Sequence, residues 1–184
     1  KGAAVKSFTM MFLQMWDVKD LEEEDYQSYL AKEPFAFPAG QEPSGFAIPY
    51  GDSPMDRERV GEQVYMDILN TANKYVHIMT PYLILDHDMI TALKYAYLLA
   101  RTYYPELIDA GVQIFEYTPG FVHAKVFVSD DEKATVGTIN LDFRSLYLHF
   151  ECGVYLYRNH AVADIEKDFQ ETLKKCQPVT MEDC

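Results

Sequence analysis

The stretch from Phe121 to Glu151 reads FVHAKVFVSDDEKATVGTINLDFRSLYLHFE, and its pattern predicts the centre of a β-sheet. Residues 124–129 and 134–139 are rich in the branched side chains typical of strands. The polar residues between Asp130 and Lys133 predict a tight turn, so we expect these two strands to form a hairpin. A third run of strand type, residues 152–157, follows closely and predicts a neighbouring strand.

Polar residues occur in this predicted hairpin at a spacing of two, which places strand side chains on one face. His123 and Lys125 have this spacing on the first strand, and Thr138 and Asn140 have it on the second. If the turn pairs the two strands, all four groups line one small polar site. Asp130 has the opposite parity to His123, so we expect it at the strand end in a structural role.

These residue types suit the cleavage of a phosphodiester. The imidazole of His123 can attack phosphorus and form a covalent phosphohistidine, while an ammonium and an amide donate to the oxygens on which negative charge grows. The ring needs its other nitrogen held as N–H by an acceptor, and Glu151 is the best local carboxylate for that purpose. This chemistry requires no metal and no cofactor, and the sequence offers no obvious cluster of metal ligands.

One histidine beside one lysine on a strand is usually surface decoration, so the hypothesis depends on the whole pattern, H-x-K-x4-D-x6-G-T-x-N with a downstream glutamate. This pattern resembles the HKD motif of the phospholipase D superfamily, and the longer run of residues 118–151 resembles bacterial cardiolipin synthases. Residues 76–96 are similar to the strand and helix that open the second half of those enzymes. FLQMW, residues 12–16, is similar to the helix after their first HKD motif, so the resemblance covers about residues 5–174.

The resemblance implies an α/β fold with a phospholipase D-like mixed sheet flanked by helices on both faces, as one of two lobes of a bilobal enzyme. It also implies a reaction in which a phosphatidyl group passes from one phosphatidylglycerol to another, giving cardiolipin and glycerol. The residues that it assigns are His123 as the active-site histidine, Lys125, Thr138 and Asn140 at the phosphate, Asp130 as the structural member of the catalytic motif, and Glu151 as the residue that orients the histidine.

The chain departs from the family in holding a single H-x-K motif, whereas the family builds one site from two. We therefore expect the C-terminal half of a bilobal enzyme, whose partner is the N-terminal HKD half, or a protomer that completes its site with a second protomer. Two alternatives remain open: a single-motif phosphodiesterase active as a homodimer, nucleases included, and an inactive half-domain that only binds phospholipid. We expect residues 1–54 to form an N-terminal helix and an inter-lobe connection, and residues 55–184 to form the catalytic lobe.

A second departure concerns the region near Ala96 and Leu99. Members of the family have a further strand and loop there, whereas this sequence continues directly into YYPEL. Loss of an interior strand would leave backbone groups unpaired, so we expect residues to be missing at this point rather than a genuine deletion. A Cα–Cα separation above the ~3.8 Å of a trans peptide is the predicted sign.

The net charge and the hydropathy of the chain bear on whether it binds nucleic acid or spans a membrane. The chain of 184 residues has a net charge of −13, which disfavours nucleic acid because such binding depends on Lys and Arg neutralising phosphates. No apolar run approaches the ~20 residues of a spanning helix. Full-length relatives carry N-terminal transmembrane helices, so the resemblance implies that the full-length parent lies in the cell membrane with its site on the cytoplasmic side. Membrane contact is then expected from parts outside this chain, which is itself expected to be soluble.

The three scattered cysteines are typical of reduced thiols.

Periodicity predicts the remaining elements. We expect His77 to be solvated or paired at a sheet edge, and residues 34–54 to form a long irregular connection. The expected helices are residues 5–16, 56–73, 89–110 and 161–176, and the further expected strands are residues 76–81 and 112–117.

Overall fold

The computed structural model describes residues 2–17, 25–30, 44–81, 83–84 and 104–184. Two expectations therefore lie outside the described residues: the chain break near Ala96 and Leu99, and the first two-thirds of the helix expected over residues 89–110. The last part of that helix is present as a short helix that begins at Tyr104.

Five α-helices and nine strands are found in the described residues. The helices are α1 (Val5–Trp16), α2 (Val60–Thr71), α3 (Tyr104–Asp109), α4 (Phe143–Tyr147) and α5 (Ala161–Leu173). The strands are β1 (Phe46–Asp52), β2 (Val76–Met79), β3 (Leu83–Ile84), β4 (Ile114–Tyr117), β5 (Val126–Ser129), β6 (Lys133–Gly137), β7 (Leu141–Asp142), β8 (Glu151–Tyr157) and β9 (Cys176–Val179). Within the same part of the chain, no helix is long and apolar enough to cross a bilayer.

An antiparallel sheet of five strands, in the order β1-β8-β6-β5-β2, forms the centre of the fold. The expected hairpin is confirmed, since β5 pairs antiparallel with β6 from Val126 opposite Val136 to Ser129 opposite Lys133. Two smaller pairs accompany it: β3 with β7 in parallel, and β4 with β9 antiparallel. The expected α/β class is confirmed.

Helices cover both faces of the central sheet. On one face, Phe127 packs with Tyr65 and Ile68 of α2, and the Tyr65 and Phe127 rings stack with centroids 4.2 Å apart. On the other face, Val128 packs with Val162 of α5. Because Phe127 and Val128 are adjacent in one strand, they must point to opposite faces, so one strand contributes to two hydrophobic cores.

The β5–β6 turn is built from two aspartates. Asp130 and Asp131 have φ angles of 56° and 60°, and the N–H of Glu132 donates to the C=O of Ser129 at 3.0 Å. Two successive left-handed residues match the twist of a hairpin, and aspartate adopts that conformation more readily than most residues. Asp130 thus lies at the strand end, as expected from its parity.

Two glycines face each other where β6 pairs with β8, and the ring of Tyr50 packs directly against one of them, Gly153. Gly137 lies opposite Gly153 across the two strands, and a Cβ added to Gly153 would come within 2.5 Å of the Tyr50 hydroxyl oxygen. That hydroxyl shares a hydrogen bond of 2.8 Å with Thr135. Burial, partly offset by this hydrogen bond, raises the pKa of Tyr50 to about 12.

A cleft of about 670 Å³ lies beside the sheet, between β2, β4 and α5. His77 lies on β2, the edge strand of the five-stranded sheet. Its ring stacks between Tyr75 and Phe169, with centroid distances of 4.3 and 4.5 Å, and its Nδ1 lies 2.9 Å from Glu166. The expectation of an edge-paired histidine is therefore correct.

Two expectations about irregular segments are wrong. Residues 46–52, expected within an irregular connection, form β1 and pair along their length with β8. Residues 176–179, expected as the end of a helix and the start of a polar tail, form β9 and pair with β4. In both cases the strand gains order from its partner rather than from its own sequence, since each contains a proline that local patterns read as a breaker.

Candidate active site

The candidate residues meet at one end of the sheet. His123 and Lys125 immediately precede β5, Thr138 and Asn140 immediately follow β6, and Glu151 begins β8. Because these strands are antiparallel neighbours, the start of β5, the end of β6 and the start of β8 lie together.

Lys125 is the buried cation of this group, and it contacts His123. Its Nζ lies 2.9 Å from Nδ1 and 3.1 Å from Nε2 of the imidazole, and it donates to the His123 carbonyl at 2.7 Å. An ammonium can only donate hydrogen bonds. The contact therefore places a desolvated cation directly beside the ring that is the candidate nucleophile.

Burial lowers the pKa of Lys125, and the negative charges of Glu151 and Asp142 partly offset that effect. Lys125 is only 6% exposed, so its ammonium has little water around it. An anionic group entering here would therefore gain a charge-assisted hydrogen bond from a donor that is already desolvated.

Glu151 is buried and held by Thr138. The Thr138 hydroxyl donates to Oε2 of Glu151, and the Cys152 N–H donates to the same hydroxyl at 3.0 Å. On its other side, Oε1 of Glu151 lies 3.7 Å from Nδ1 of His149. These contacts fix the carboxylate at the mouth of the site.

Asn140 is directed toward α4 rather than toward the lysine. Its Nδ2 donates to the Ser145 hydroxyl at 2.9 Å, and its Oδ1 is buried without a hydrogen-bond partner among the described residues. Ser145 is held in turn, since its N–H donates to Asp142, the N-cap of α4, at 2.8 Å. The amide is thus positioned by a short helix.

The sequence-based placement is correct in part. The structure brings His123 to Lys125 and Thr138 to Glu151 at one sheet end, whereas Asn140 contacts Ser145 instead. The expectation that His123 and Lys125 lie within a strand is wrong, because β5 begins at Val126; a hydrogen bond of 3.2 Å from the Gly137 N–H to the Lys125 carbonyl nevertheless extends the pairing. Thr138 and Asn140 likewise lie beyond the end of β6, where the chain leaves the sheet toward β7.

Three neighbours of the site were missed from the sequence: Asp142, Ser145 and His149. Asp142 carries an available signal, because aspartate is one of the residues preferred at a helix N-cap. His149 offers no such signal, since its approach to Glu151 depends on how α4 leads into β8.

Several large apolar side chains are exposed near this end of the sheet. Exposed large side chains occur on the segments that lead into or out of the strands at this end, namely Met55, Phe121, Phe143, Leu148 and Phe150. In the part of the chain that the structure describes, no group of three His, Cys, Asp or Glu residues is arranged to hold a metal ion.

Comparison with known protein families matches residues 96–173 to the family described as cardiolipin synthase, PLD-like domain. Among curated proteins, an uncharacterized protein of Streptococcus mutans is 50% identical over 98% of this chain and 42% of its own length. A cardiolipin synthase of Geobacillus sp. is 32% identical over 99% of this chain and 39% of its own length. The chain thus spans about two-fifths of the length of these relatives.

The alignments are longer than the chain. Two hundred aligned positions with the Streptococcus mutans protein against 184 residues leave at least 16 positions of that relative without a counterpart here. This agrees with the expectation that relatives have residues that this chain lacks, although it does not give their place.

Solved structures share the fold. The Nuc protein of Salmonella typhimurium, a phospholipase D family member, matches with a TM-score of 0.60 and 16% identity over 75% of this chain and 99% of its own. Phosphatidylserine synthase of Haemophilus influenzae matches with a TM-score of 0.56 and 16% identity over 72% of this chain and 40% of its own.

Proposed function

Because the chain is a phospholipase D superfamily member similar to cardiolipin synthases, we propose that it is the C-terminal catalytic half of a phosphatidyltransferase that converts two phosphatidylglycerol molecules into cardiolipin and glycerol. Residues 55–184, together with β1 at the edge of their sheet, form the lobe that holds one HKD motif, and the rest of residues 1–54 belongs to the inter-lobe region. The second motif comes from the N-terminal half of the same polypeptide. Membrane contact comes from parts outside this chain, with the site on the cytoplasmic side.

The reaction proceeds in two displacements at phosphorus. A ring nitrogen of His123 attacks the phosphodiester of the first phosphatidylglycerol, an N–P bond forms, and the P–O bond to the headgroup glycerol breaks. The leaving glycerol takes a proton from the second histidine. A headgroup hydroxyl of the second phosphatidylglycerol then attacks the phosphohistidine, its proton passes to the second histidine, and the N–P bond breaks to release cardiolipin.

The neighbouring groups have separate roles in this scheme. Lys125 stabilises the charge that grows on the nonbridging oxygens, and Thr138 and Asn140 assist it from the loop after β6. Glu151 orients the imidazole of His123, and Asp130 holds the hairpin. The apolar side chains exposed near this end of the sheet suit a phospholipid, because its diacylglycerol part is apolar.

The observation that carries the proposal is the contact between the buried Lys125 ammonium and the His123 ring. It places a candidate nucleophile beside a cation that is largely removed from solvent, and together they suit attack on an anionic phosphodiester. The similarity to cardiolipin synthases then favours phosphatidylglycerol over other phosphodiesters.

The test is cardiolipin formation by the full-length protein on vesicles of phosphatidylglycerol, with and without His123→Ala. We expect a loss of about 10³-fold or more, as for removal of other catalytic nucleophiles. His160→Ala is the matched control, because His160 is exposed beside Ser44 at the far end of the sheet, and we expect it to retain activity. Undiminished cardiolipin formation by His123→Ala would exclude the assigned role.

A homodimeric phosphodiesterase is the second candidate. The single H-x-K motif favours it, and 99% coverage of the Nuc chain shows that a chain of about one lobe can adopt this fold alone. Sedimentation combined with a soluble phosphodiester substrate distinguishes the two: the homodimer hypothesis requires turnover by the 184-residue chain as a dimer, whereas the bilobal hypothesis requires the longer protein.

A further inference from the structure

His149 lies at the mouth of the candidate site and faces Glu151. Its Nδ1 is 3.7 Å from Oε1 of Glu151, and its side chain is 41% exposed, whereas that of the glutamate is 9% exposed. This separation is too long for a hydrogen bond, but it lies within the range of an ion pair when the imidazole carries a proton. The half-exposed ring can therefore exchange protons with solvent while it stays beside a buried carboxylate.

Glu151 connects this second imidazole to the first. Its charge acts on the Lys125 ammonium, and Lys125 in turn contacts the His123 ring. The site thus contains one imidazole beside the lysine and another beside the glutamate. A carboxylate can accept about four hydrogen bonds, so the contact with His149 leaves capacity at Glu151 for orienting His123.

The charges of the site leave an excess of negative charge within this lobe. With both rings neutral, one ammonium, that of Lys125, stands against the carboxylates of Glu151 and Asp142, whose charges both act on it. A phosphodiester carries a further negative charge, and like charges repel each other strongly where there is little water. Binding of such an anion is therefore favoured by another positive charge close to these carboxylates.

Other charged groups at this end of the sheet are already engaged or exposed. Glu62 of α2 accepts from the Arg59 side chain at 3.4 Å and from the Tyr147 hydroxyl at 3.0 Å. Asp52, at the end of β1, accepts from a backbone N–H of α2 at 2.8 Å, and Arg144 of α4 is exposed. Histidine is the side chain that ordinarily changes its charge between pH 5 and 8, so the ring beside Glu151 is well placed to supply the positive charge.

We propose that His149 is a positioning residue that takes up a proton from solvent when the phosphodiester headgroup binds, and that the resulting imidazolium offsets the charge of Glu151. The inference rests on the proposed function, which brings an anionic headgroup to Lys125. The coupling is reciprocal: if binding favours the proton, the proton favours binding. The affinity for the headgroup therefore falls as pH rises through the range in which histidine loses its proton.

The test measures proton uptake when the full-length protein binds glycerophosphoglycerol, the water-soluble headgroup of phosphatidylglycerol without its acyl chains. Titration calorimetry near neutral pH, in two buffers of different ionisation enthalpy, gives the number of protons taken up for each headgroup bound. We expect the unmodified protein to take up a fraction of one proton and His149→Gln to lose most of that uptake. The variant should bind about two- to fivefold more weakly at about pH 6, as for loss of a partly exposed charge pair, and equally well at about pH 8.

Two further variants provide the rescue and the control. His149→Lys supplies a fixed positive charge, so it should keep the higher affinity at both pH values and take up less of a proton than the unmodified protein. His160→Gln is the matched control, because His160 is exposed beside Ser44 at the far end of the sheet. It should leave both the affinity and the proton uptake unchanged.

Unchanged proton uptake in His149→Gln would overturn the inference, as would the absence of headgroup binding. Uptake that disappears only in His123→Gln would overturn it by placing the proton on the nucleophile. An equal loss of affinity for His149→Gln at both pH values would show a merely structural role. Cardiolipin formation on vesicles decides the proposed function separately: an active protein without this uptake contradicts the inference alone, and uptake by an inactive protein contradicts the proposed function alone.

Discussion

The two ends of β5 carry charged residues in different environments. At the turn end, Asp130 accepts from three consecutive backbone N–H groups, those of Asn73 at 2.6 Å, Lys74 at 2.9 Å and Tyr75 at 3.0 Å. At the other end, Lys125 is buried against an imidazole, and Asn140 keeps an acceptor atom without a partner among the described residues. At one end of the motif the carboxylate of Asp130 is fully hydrogen-bonded. At the other end, among the described residues, the buried Oδ1 of Asn140 accepts no hydrogen bond.

The difference indicates which residues serve stability and which serve chemistry. A carboxylate whose oxygens are already engaged has little left for a ligand, whereas a desolvated ammonium is stabilised when an anion arrives. We therefore expect substitutions at the two ends to separate activity from folding.

The largest effect is expected for Lys125→Met, which keeps the length of the side chain and removes its charge. In the full-length protein, cardiolipin formation should fall by about 10²–10³-fold, as for loss of one donor to a developing oxyanion. The free energy of unfolding should not fall. Burial lowers the pKa of Lys125, so at neutral pH the folded state holds its proton less favourably than the unfolded state does.

Urea titrations measured beside the activity check this prediction. Lys175→Met is a matched control, because Lys175 is exposed on the segment after α5 and should change neither quantity. Loss of activity together with a large loss of stability would show that Lys125 is structural and would remove the contrast between the two ends.

The next effect in size is expected for Asp130→Ala. Its loss leaves three backbone donors of the segment before β2 without their acceptor, which should lower the free energy of unfolding by about 2–4 kcal/mol. Protein that remains folded should keep most of its specific activity. Asp131→Ala is the comparison in the same turn, since Asp131 contacts the Tyr75 side chain and N–H donors do not converge on it in this way. A larger loss for Asp131→Ala would contradict the assignment.

The hairpin could be predicted from the sequence because its determinants are local. Branched residues define β5 and β6, an Asp-Asp-Glu-Lys run defines the turn, and parity places Asp130 at the strand end. The spacing of two also predicted that His123 and Lys125 share one site, and their side chains do meet, although both residues precede β5. These features require only the spacing of side chains along a strand.

The remaining features depend on distant partners. β1 and β9 each contain a proline, and they become strands only because β8 and β4 offer an edge. The direction of Asn140 has a local cause instead: it depends on Ser145 and on Asp142, the N-cap of α4, which strand spacing does not describe. Strand spacing alone therefore placed Thr138 and Asn140 on a strand that ends before them.

A smaller loss of stability is expected for Gly153→Ala, a substitution in β8. The new methyl group would meet the Tyr50 ring, whose atoms lie 2.5–3.0 Å from the ideal Cβ position. Because Tyr50 is buried and bonded to Thr135, the ring has little freedom to move, and we expect a loss of about 1–3 kcal/mol. Gly120→Ala is the control, since nothing lies within 4 Å of its Cβ position. Thermal unfolding of both variants measures the difference, and equal melting temperatures would contradict the packing argument.

The smallest effect is the acid dependence of the turn end. Burial alone would raise the pKa of Asp130, but the N–H donors of Tyr75, Asn73 and Lys74 together lower it below 3.8. The unfolded chain therefore binds a proton here before the folded chain does, so this stabilisation is present above the unfolded pKa and is lost as pH falls through the folded pKa. The stability difference between the unmodified chain and Asp130→Asn, measured in urea, should thus stay constant above about pH 5 and shrink below it. The shrinkage must be smaller than the loss in Asp130→Ala, because a protonated carboxyl still accepts hydrogen bonds. A difference that grows on acidification would mean that the carboxylate is not held by these donors.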